Sequence, residues 1–417
     1  MTSVIAPLAL LLITILGAPN VTVLAPAGSV NEGAVAVSPV NPRICVAAGI
    51  HFRTSGLTVE TFHTADAGAT WIANGAVPVV GAFTRQWDPV LVFDRSGAAY
   101  LTTVGATADD HLWTILVYRS TDGGATWSGV DAAKNTAGRT DKPWLAIDTS
   151  GGAFDGSLYA TWFTFGNAGH NGMHLARSRD HGATWSEAST IASSGWPFIA
   201  TGTDGSVYAS YYDAGTNHIA ASRSDDGGVT FGAPFTIAPE RTFPAGTIAY
   251  GTSAHQMAAG GGNLYVAYPC DSDDAGHPPS SVCFTRSLDR GASWSTPLRL
   301  SLPTQESGLP SIAVDKTNSE VLLSWIGRDA SSDSGVLWTT RSRDAGATFE
   351  DPHPVSDNFP AHFPAGDYNQ SASFAALRLA MFSDTDGHLS VARLSWAGDP
   401  PLPDPPAQLP RRRSVRP

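Results

Sequence analysis

The sequence is poor in charge, since Asp, Glu, Lys and Arg make up only 15% of its 417 residues. Soluble domains average about a quarter. The charge that is present is mostly negative, and the formal net charge at pH 7 is −12. Four arginines, of which Arg416 is the last, lie in the C-terminal tail, so the rest of the chain is more acidic still. An acidic body argues against nucleic acid or an anionic membrane as a partner.

Cysteine is scarce as well, because the chain contains only three. Cys45 stands apart, whereas Cys270 and Cys283 flank one loop. The close pair forms a disulfide if the protein is exported, and the alternative is two buried thiols. The sequence also lacks zinc-ligand spacings, a phosphate-binding loop and a dinucleotide fingerprint, so we predict no cofactor from such motifs.

The sequence offers no apolar stretch long enough to span a membrane. The longest run, Pro7–Leu16, is too short for that purpose. It has the length of a signal-peptide core, and we predict that residues 1–18 are a signal peptide of a secreted or cell-envelope protein. The alternative is a short buried strand. Residues 399–417 are rich in proline and arginine and are predicted to be a disordered tail, which leaves 19–398 as one domain.

Glycine and proline are abundant, with 42 and 29 residues, as expected for many short strands joined by tight turns. An octet of the form Ser/Thr-x-Asp-x-Gly-x-Ser/Thr-Trp/Phe occurs six times, beginning with Thr64–Trp71. Asp can accept hydrogen bonds from the backbone N–H groups that follow it, and Gly permits a positive φ. We therefore predict that the aspartates anchor hairpins. They are Asp66, Asp122, Asp180, Asp226, Asp289 and Asp344.

These octets resemble the Asp-box, or bacterial neuraminidase repeat, of the sialidase superfamily and of several other propellers. The resemblance covers about residues 30 to 396 and implies a β-propeller. Each unit also shows four short strands, without convincing helical periodicity outside the N-terminus. We predict an all-β propeller of four-stranded antiparallel blades. Seven blades are preferred, the last closed by Asn20–Leu24 together with three C-terminal strands, and six blades are the alternative.

The first strand of such a blade is the innermost, so residues that enter first strands gather at one mouth of the central channel. Carboxylates there can bind sugar hydroxyls, aromatic rings can stack on sugars, and paired carboxylates can hydrolyse glycosidic bonds. The alternative for any one acid is that it caps a turn or pairs with a nearby arginine. The candidate catalytic residues are Tyr368, Asp367, Asp88, Asp141 and Glu32. The candidate substrate-binding residues are Arg85, Arg139, Trp87, Trp196 and His255.

The resemblance to sialidases implies a Tyr nucleophile with a Glu partner, an Asp acid and an arginine triad for the substrate carboxylate. On that basis Tyr368 is the candidate nucleophile, Glu32 or Glu306 its partner and Asp88 the acid. The family's Arg-Ile-Pro signature is absent, and the nearest arginine, Arg43, is predicted to lie on the opposite face. We predict a monomer that recognises glycans at the mouth, with exo-sialidase-type hydrolysis as the implied activity. The alternative is a non-catalytic binding or assembly scaffold, because the motif is shared across functions.

Two acidic runs, Asp271–Asp274 and Asp384–Asp386, supply hard oxygen atoms that suit Ca²⁺. Neither run completes a known calcium loop. We therefore predict solvated turn acids rather than a metal site, with Ca²⁺ as the alternative.

Overall fold

The computed structural model describes residues 21–25, 30–54, 56–134, 138–166, 170–193, 195–239, 255–270, 280–329, 334–360, 367–384, 386–396, 398–399 and 401–402. This part of the chain contains 29 β-strands and no helix that could cross a membrane. The predicted signal peptide, most of the predicted tail and the acidic run Asp271–Asp274 lie outside the described residues.

The strands form seven antiparallel sheets, each of which is a blade, and in blades 1 to 6 the strands follow one another along the chain. Blade 1 contains β2 Val30–Val37, β3 Cys45–Arg53, β4 Gly56–Thr64 and β5 Ile72–Ala76. Blade 2 contains β6 Phe83–Phe93, β7 Ala99–Thr107, β8 Trp113–Ser120 and β9 Ser128–Asp131. Blade 3 contains β10 Arg139–Ile147, β11 Leu158–Phe165, β12 Gly172–Ser178 and β13 Ser189–Ala192. Blade 4 contains β14 Phe198–Thr201, β15 Val207–Asp213, β16 His218–Ser224 and β17 Phe235–Pro239. Blade 5 contains β18 Gln256–Gly260, β19 Asn263–Cys270, β20 Ser281–Ser287 and β21 Leu298–Arg299. Blade 6 contains β22 Gln305–Asp315, β23 Glu320–Asp329, β24 Ser334–Ser342, β25 His353–Pro354 and β26 Phe359–Pro360.

Blade 7 is built from both ends of the described chain. Its inner strands are β27 Ser371–Phe374, β28 Leu377–Ser383 and β29 Leu389–Arg393. Its outer strand is β1 Val21–Ala25, which pairs with β29 from Val21 opposite Ala392 to Ala25 opposite Leu389. The prediction of seven blades closed in this way is confirmed, and the six-blade alternative is wrong. Closure leaves the outer edge of β29 covered rather than open to another strand.

Each octet forms the turn between the third and fourth strands of its blade. In blade 2 the Asp122 carboxylate accepts hydrogen bonds from the Thr126 N–H at 3.0 Å and the Thr126 hydroxyl at 2.6 Å. The Ser120 hydroxyl accepts the Gly124 N–H at 2.9 Å, where Gly124 has a φ of 93°. The same bonds from Thr184 lower the pKa of Asp180 to about 2. The octet is therefore a hydrogen-bonded anchor for the outermost strand.

The seven innermost strands surround a central channel with a cavity of about 590 Å³. Its wall is largely apolar and includes Val35, Leu91, Leu145 and Ile312. Two glutamine side chains bond the inner strand edges that no neighbouring strand covers. Gln370 accepts the Leu91 N–H at 3.1 Å and donates to the Leu91 carbonyl at 2.9 Å. Gln256 accepts the Ile312 N–H at 3.2 Å. The Gln370 amide therefore joins the start of blade 7 to blade 2, and the Gln256 amide joins blade 5 to blade 6.

Two predictions about the periphery concern cysteines and the tail. Cys270 and Cys283 form a disulfide between β19 and β20, while Cys45 is buried, and burial raises the pKa of its thiol. Asp399, which the sequence places at the start of a disordered tail, accepts hydrogen bonds from Arg341 at 2.5 Å and from Arg378 at 3.1 Å. Asp399 is thereby attached to the propeller.

Candidate functional site

The first strands carry a repeated backbone distortion at one mouth of the channel. Near the mouth ends of the first strands, five residues other than glycine have a positive φ: Glu32 (50°), Asp88 (56°), Lys142 (50°), Trp196 (55°) and Leu309 (52°). Trp196 lies just before its strand, and the other four lie within theirs. In blades 1, 2, 3 and 6 the register with the second strand shifts at this point. A bulge with left-handed backbone changes the direction of a side chain and is costly for an L-residue, so its recurrence marks this mouth as a candidate site.

Three of these residues, from blades 1 to 3, and Asp367, which leads into blade 7, meet at the ammonium group of Lys142. Lys142 Nζ forms an ion pair with Asp367 and lies 3.7 Å from both Glu32 Oε1 and Asp88 Oδ2. The Asp367 N–H donates to Glu32 Oε1 at 3.0 Å, and the Lys142 N–H donates to Asp88 Oδ2 at 3.2 Å. We call Glu32, Asp88, Lys142 and Asp367 the mouth cluster. Trp196 borders it, with its ring centre 5.3 Å from Lys142 Nζ.

The solvent exposure of the side chains increases from one side of the mouth cluster to the other. The side chain of Asp88 is 2% exposed, that of Lys142 16% and that of Asp367 43%. Burial and then the charge of Glu32 raise the pKa of Asp88 well above its usual range, although Lys142 acts against them. Burial lowers the pKa of Lys142, but Asp88, Glu32 and Asp367 outweigh this effect and raise it. The arrangement therefore favours a charged ammonium beside a protonated Asp88.

One carboxylate oxygen of Glu32 in the mouth cluster lacks a hydrogen-bond partner among the described residues. The Glu32 Oε2 atom is buried and accepts no hydrogen bond from them. A proton on Asp88 would give it a donor, since hydrogen bonding to Glu32 also contributes to the raised pKa of Asp88. A proton on Asp88 would therefore link the two carboxyl groups.

Tyr368 and His255 lie beneath the mouth cluster in the core. The Tyr368 side chain is almost entirely buried, and its hydroxyl donates to the Pro89 carbonyl at 3.1 Å. Its ring meets Trp144 at a centroid distance of 5.7 Å, and burial with the nearby carboxylates raises its pKa. His255 is fully buried, with Nε2 3.0 Å from the Ser210 hydroxyl. Both residues have the surroundings of packing residues.

Arg85 and Arg139 lie on the same face but bond another carboxylate. Arg85 donates to Asp110 Oδ1 at 2.6 Å, and Arg139 donates to Asp110 Oδ2 at 3.3 Å. The Trp113 indole N–H also donates to Asp110, at 3.1 Å, and Trp87 meets Trp113 at 4.7 Å. The arginines that the sequence proposed for a substrate carboxylate therefore converge on Asp110 rather than on Tyr368.

Several remaining candidates have separate positions. Asp141 is half-buried beside Lys142 and adds to the raised pKa of Asp88. Glu306, the other proposed partner of Tyr368, accepts hydrogen bonds from Arg328, one of them at 2.8 Å. The Arg43 carbonyl accepts the N–H of Ala67 in the first octet, which places Arg43 on the far face, as predicted.

Among the described residues no group of three or more His, Cys, Asp or Glu side chains could hold a metal ion. Asp384, from the second acidic run, instead accepts the His388 N–H at 2.8 Å and lies 2.7 Å from His388 Nδ1. This carboxylate bonds its own turn.

Three members of the mouth cluster, Glu32, Asp88 and Asp367, are catalytic candidates from the sequence, whereas Lys142 is not. The available signal was its place directly after Asp141 at the start of a first strand. The bulge that turns its side chain inward leaves no such signal, because Lys142 is not one of the residue types that favour a positive φ.

The model of the BNR repeat-like domain family matches residues 68–268 and 156–380. No curated protein matches the chain. Among solved structures, an ulvan lyase of polysaccharide lyase family PL25 aligns at 11% identity over 89% of this chain and 96% of its own, with a TM-score of 0.52. A Hadza microbial sialidase aligns at 14% identity over 90% and 93%, with a TM-score of 0.46. An α-L-arabinofuranosidase from Fusarium graminearum aligns at 12% over 88% and 93%, with a TM-score of 0.48. At these identities the likeness concerns the fold.

Proposed function

The chain belongs to the BNR repeat-like domain family, and we propose that it is a glycan-binding propeller that holds a sugar at the mouth cluster. The observation that supports this function is the convergence of one ammonium and three carboxylates from four blades beside the half-buried ring of Trp196. Polar groups that fix orientation beside an aromatic surface are typical of small-ligand sites.

The exposed side of the mouth cluster offers complementary partners for sugar hydroxyl groups. The Asp367 carboxylate can accept hydrogen bonds, and the Lys142 ammonium has three N–H donors. Trp196 presents a ring on which an apolar sugar face can pack. A bound sugar would thus replace water between Lys142, Asp367 and Trp196.

A second candidate function is glycoside hydrolysis, and the raised pKa of Asp88 favours it. A raised pKa helps a carboxylic acid to hold the proton that it passes to a leaving-group oxygen. In this function Asp88 is the acid and Asp367 is the second carboxylate. Asp88 and Asp367 flank the Lys142 ammonium, so a substrate has to displace that ammonium to lie between them.

The geometry gives less support to hydrolysis of the exo-sialidase type. A sialic acid carboxylate calls for an arginine clamp, whereas Arg85 and Arg139 bond Asp110. A nucleophilic Tyr needs activation by an adjacent base, whereas burial raises the pKa of Tyr368. Tyr368 as nucleophile stays a prediction, as do export, the monomeric state and the assignment of residues 1–18, 19–398 and 399–417.

The proposal is tested by a glycan array probed with labelled protein and by a panel of chromogenic glycosides. We expect glycan binding by the wild type and its loss in Lys142→Met and Asp367→Asn. Asp225→Asn is the matched control, because this exposed carboxylate lies in an octet on the far face. Hydrolysis that Asp88→Asn abolishes would support the second function. A wild type that binds no glycan and cleaves no glycoside contradicts both functions and favours the scaffold alternative.

A further inference from the structure

A row of aromatic rings leads outward from the mouth cluster across blades 2 and 3. Trp87 meets Trp113 at a centroid distance of 4.7 Å, Trp113 meets Phe165 at 6.2 Å, and Phe165 meets Phe163 at 6.2 Å. Trp113, Phe163 and Phe165 are half-buried, so each keeps part of its ring in contact with solvent. Trp87 directly precedes Asp88, which makes the row continuous with the mouth cluster. We call these four rings, together with Arg85, Arg139 and Asp110, the aromatic platform.

The aromatic platform carries more positive than negative charge although the protein as a whole is acidic. Arg85 and Arg139 share the single carboxylate of Asp110. A guanidinium has five N–H donors, and each of these arginines uses one of them in hydrogen bonds to the described residues. The Arg139 side chain is 55% exposed and its guanidinium lies 5.1 Å from the centre of the Trp113 ring. Donors that the described residues leave unused, held beside half-buried rings, suit a ligand with several anionic groups.

We infer that the aromatic platform binds further units of an acidic polysaccharide whose end or internal unit occupies the mouth cluster. This inference rests on the proposed function and specifies its ligand as polymeric and anionic. Sugar rings would pack on the row from Trp113 to Phe163, while carboxylate or sulfate groups take the free donors of Arg85 and Arg139. The three half-buried rings in succession exceed the area that one sugar ring covers.

A nucleic acid is the competing occupant, because bases also stack on aromatic rings beside arginine. The platform holds two arginines and one aspartate, whereas the chain as a whole has a formal net charge of −12. The acidic body would repel a strand with a phosphate at every unit more strongly than a polysaccharide with one carboxylate for every two sugars, such as hyaluronan. The observations therefore favour the polysaccharide.

The test is electrophoresis of the full chain through native gels that contain polygalacturonate, alginate, hyaluronan or heparin. Gels with glucomannan or with single-stranded poly-dT serve for comparison. We expect at least one anionic polysaccharide to retard the wild type, and added NaCl to weaken the retardation. Arg139→Gln should weaken the interaction by about tenfold, because a charged hydrogen bond is lost. Trp113→Ala should weaken it as well.

Arg95→Gln is the matched control, since Arg95 is 56% exposed and lies after β6 on the far face. It should leave retardation unchanged. Equal retardation by glucomannan, retardation by poly-dT alone, or no retardation by any anionic polysaccharide would overturn the inference. If the array shows short glycans bound at the mouth cluster while Arg139→Gln and Trp113→Ala change nothing, the platform inference fails and the proposed function stands. If no glycan binds in either experiment, both fail.

Discussion

The Lys142 ammonium is the cation that faces three carboxyl groups, so its removal has a predictable cost at the residue scale. We expect Lys142→Met to lower the free energy of unfolding at pH 7 by about 3 kcal/mol, because it leaves buried carboxylates without their cation. Urea denaturation measures the change. Lys134→Met is the control, since the Lys134 side chain is 46% exposed and its pair with Glu187 at 3.5 Å lies on the surface. Equal effects of the two variants would show that the mouth cluster contributes no stability.

Asp88 gives the wild type a pH dependence that its amide variant lacks. Its pKa is raised in the folded state, so its contribution to stability is complete below the unfolded pKa and is lost as pH rises through the folded pKa. The octet aspartates act in the opposite sense, because the pKa of Asp180 is lowered to about 2 and its contribution is lost as pH falls.

We therefore expect the stability of the wild type relative to Asp88→Asn to decrease as pH rises from acidic to neutral and beyond. The slope is at most about 1.4 kcal/mol per pH unit for one proton. Urea denaturation of both proteins in parallel across this pH range measures the difference. The contribution of the octet aspartates to the pH dependence is the same in both proteins and cancels. A difference that increases with pH would mean that the pKa of Asp88 is lowered.

Substitution of Tyr368 by Phe distinguishes a packing role of this residue from a catalytic role. If the protein cleaves a glycoside, we expect Tyr368→Phe to leave the turnover unchanged, because the hydroxyl is bonded to the Pro89 carbonyl in the core. Stability should fall by about 1 kcal/mol for the lost hydrogen bond. Turnover on a fluorogenic sialoside and thermal melting are the measurements. A variant that folds but loses hydrolysis would restore Tyr368 as the nucleophile.

At this scale the sequence identified Glu32, Asp88 and Asp367 but not their common partner. The position of a residue at the start of a first strand follows from the repeat and needs no coordinates. The direction of its side chain depends on a positive φ at Lys142 and its counterparts, and this φ arises where tertiary packing overrides local preference. The burial of Tyr368 and the charges around it could not be predicted from the sequence either, because they too depend on tertiary packing.

The octet is the element whose role the sequence made clearest. We expect Asp122→Ala to lower the free energy of unfolding by about 1 kcal/mol, because the Thr126 N–H and hydroxyl lose their acceptor. Asp122→Asn should cost less, since the amide oxygen can still accept one of these bonds. Chemical denaturation compares the two. A smaller loss in the alanine variant than in the asparagine variant would contradict the anchoring role.

Strand positions were predicted well where the residue pattern is regular and poorly at the mouth. The run Leu158–Phe163, rich in aromatic residues, predicts a strand that begins where β11 begins and ends two residues early. The apolar run Val90–Phe93 predicts a strand that lacks the first part of β6, which starts at Phe83. The bulge at Asp88 interrupts the alternation between Trp87 and Val90, so the pattern hides the continuation of the strand.

At the scale of the whole molecule, Asp399 fastens the last blade to its neighbour. It accepts hydrogen bonds from Arg341 of blade 6 and Arg378 of blade 7, whose side chains are 2% and 3% exposed. We expect Asp399→Ala to lower the free energy of unfolding by about 3 kcal/mol, because these buried cations lose part of their neutralisation. Asp357→Ala, on an exposed side chain, is the control for the denaturation measurement. Equal losses would contradict the fastening role.

The number of blades followed from the sequence because six octets and a seventh, unmarked unit could be counted along the chain. The hydrogen bonds of Asp399 to Arg341 and Arg378 could not be predicted from the sequence, because the repeat does not relate these residues to one another. The same holds for Gln256 and Gln370, whose bonds between blades involve no recurring motif.

The pairing of β1 with β29 has a consequence for biosynthesis. The first described strand leaves the ribosome long before its partner exists, and it must wait until nearly the entire polypeptide has been made. During that interval a neighbouring nascent molecule can offer its own β29. Crowded refolding should therefore yield strand-exchanged dimers, whereas dilution gives each molecule time to capture its own terminus.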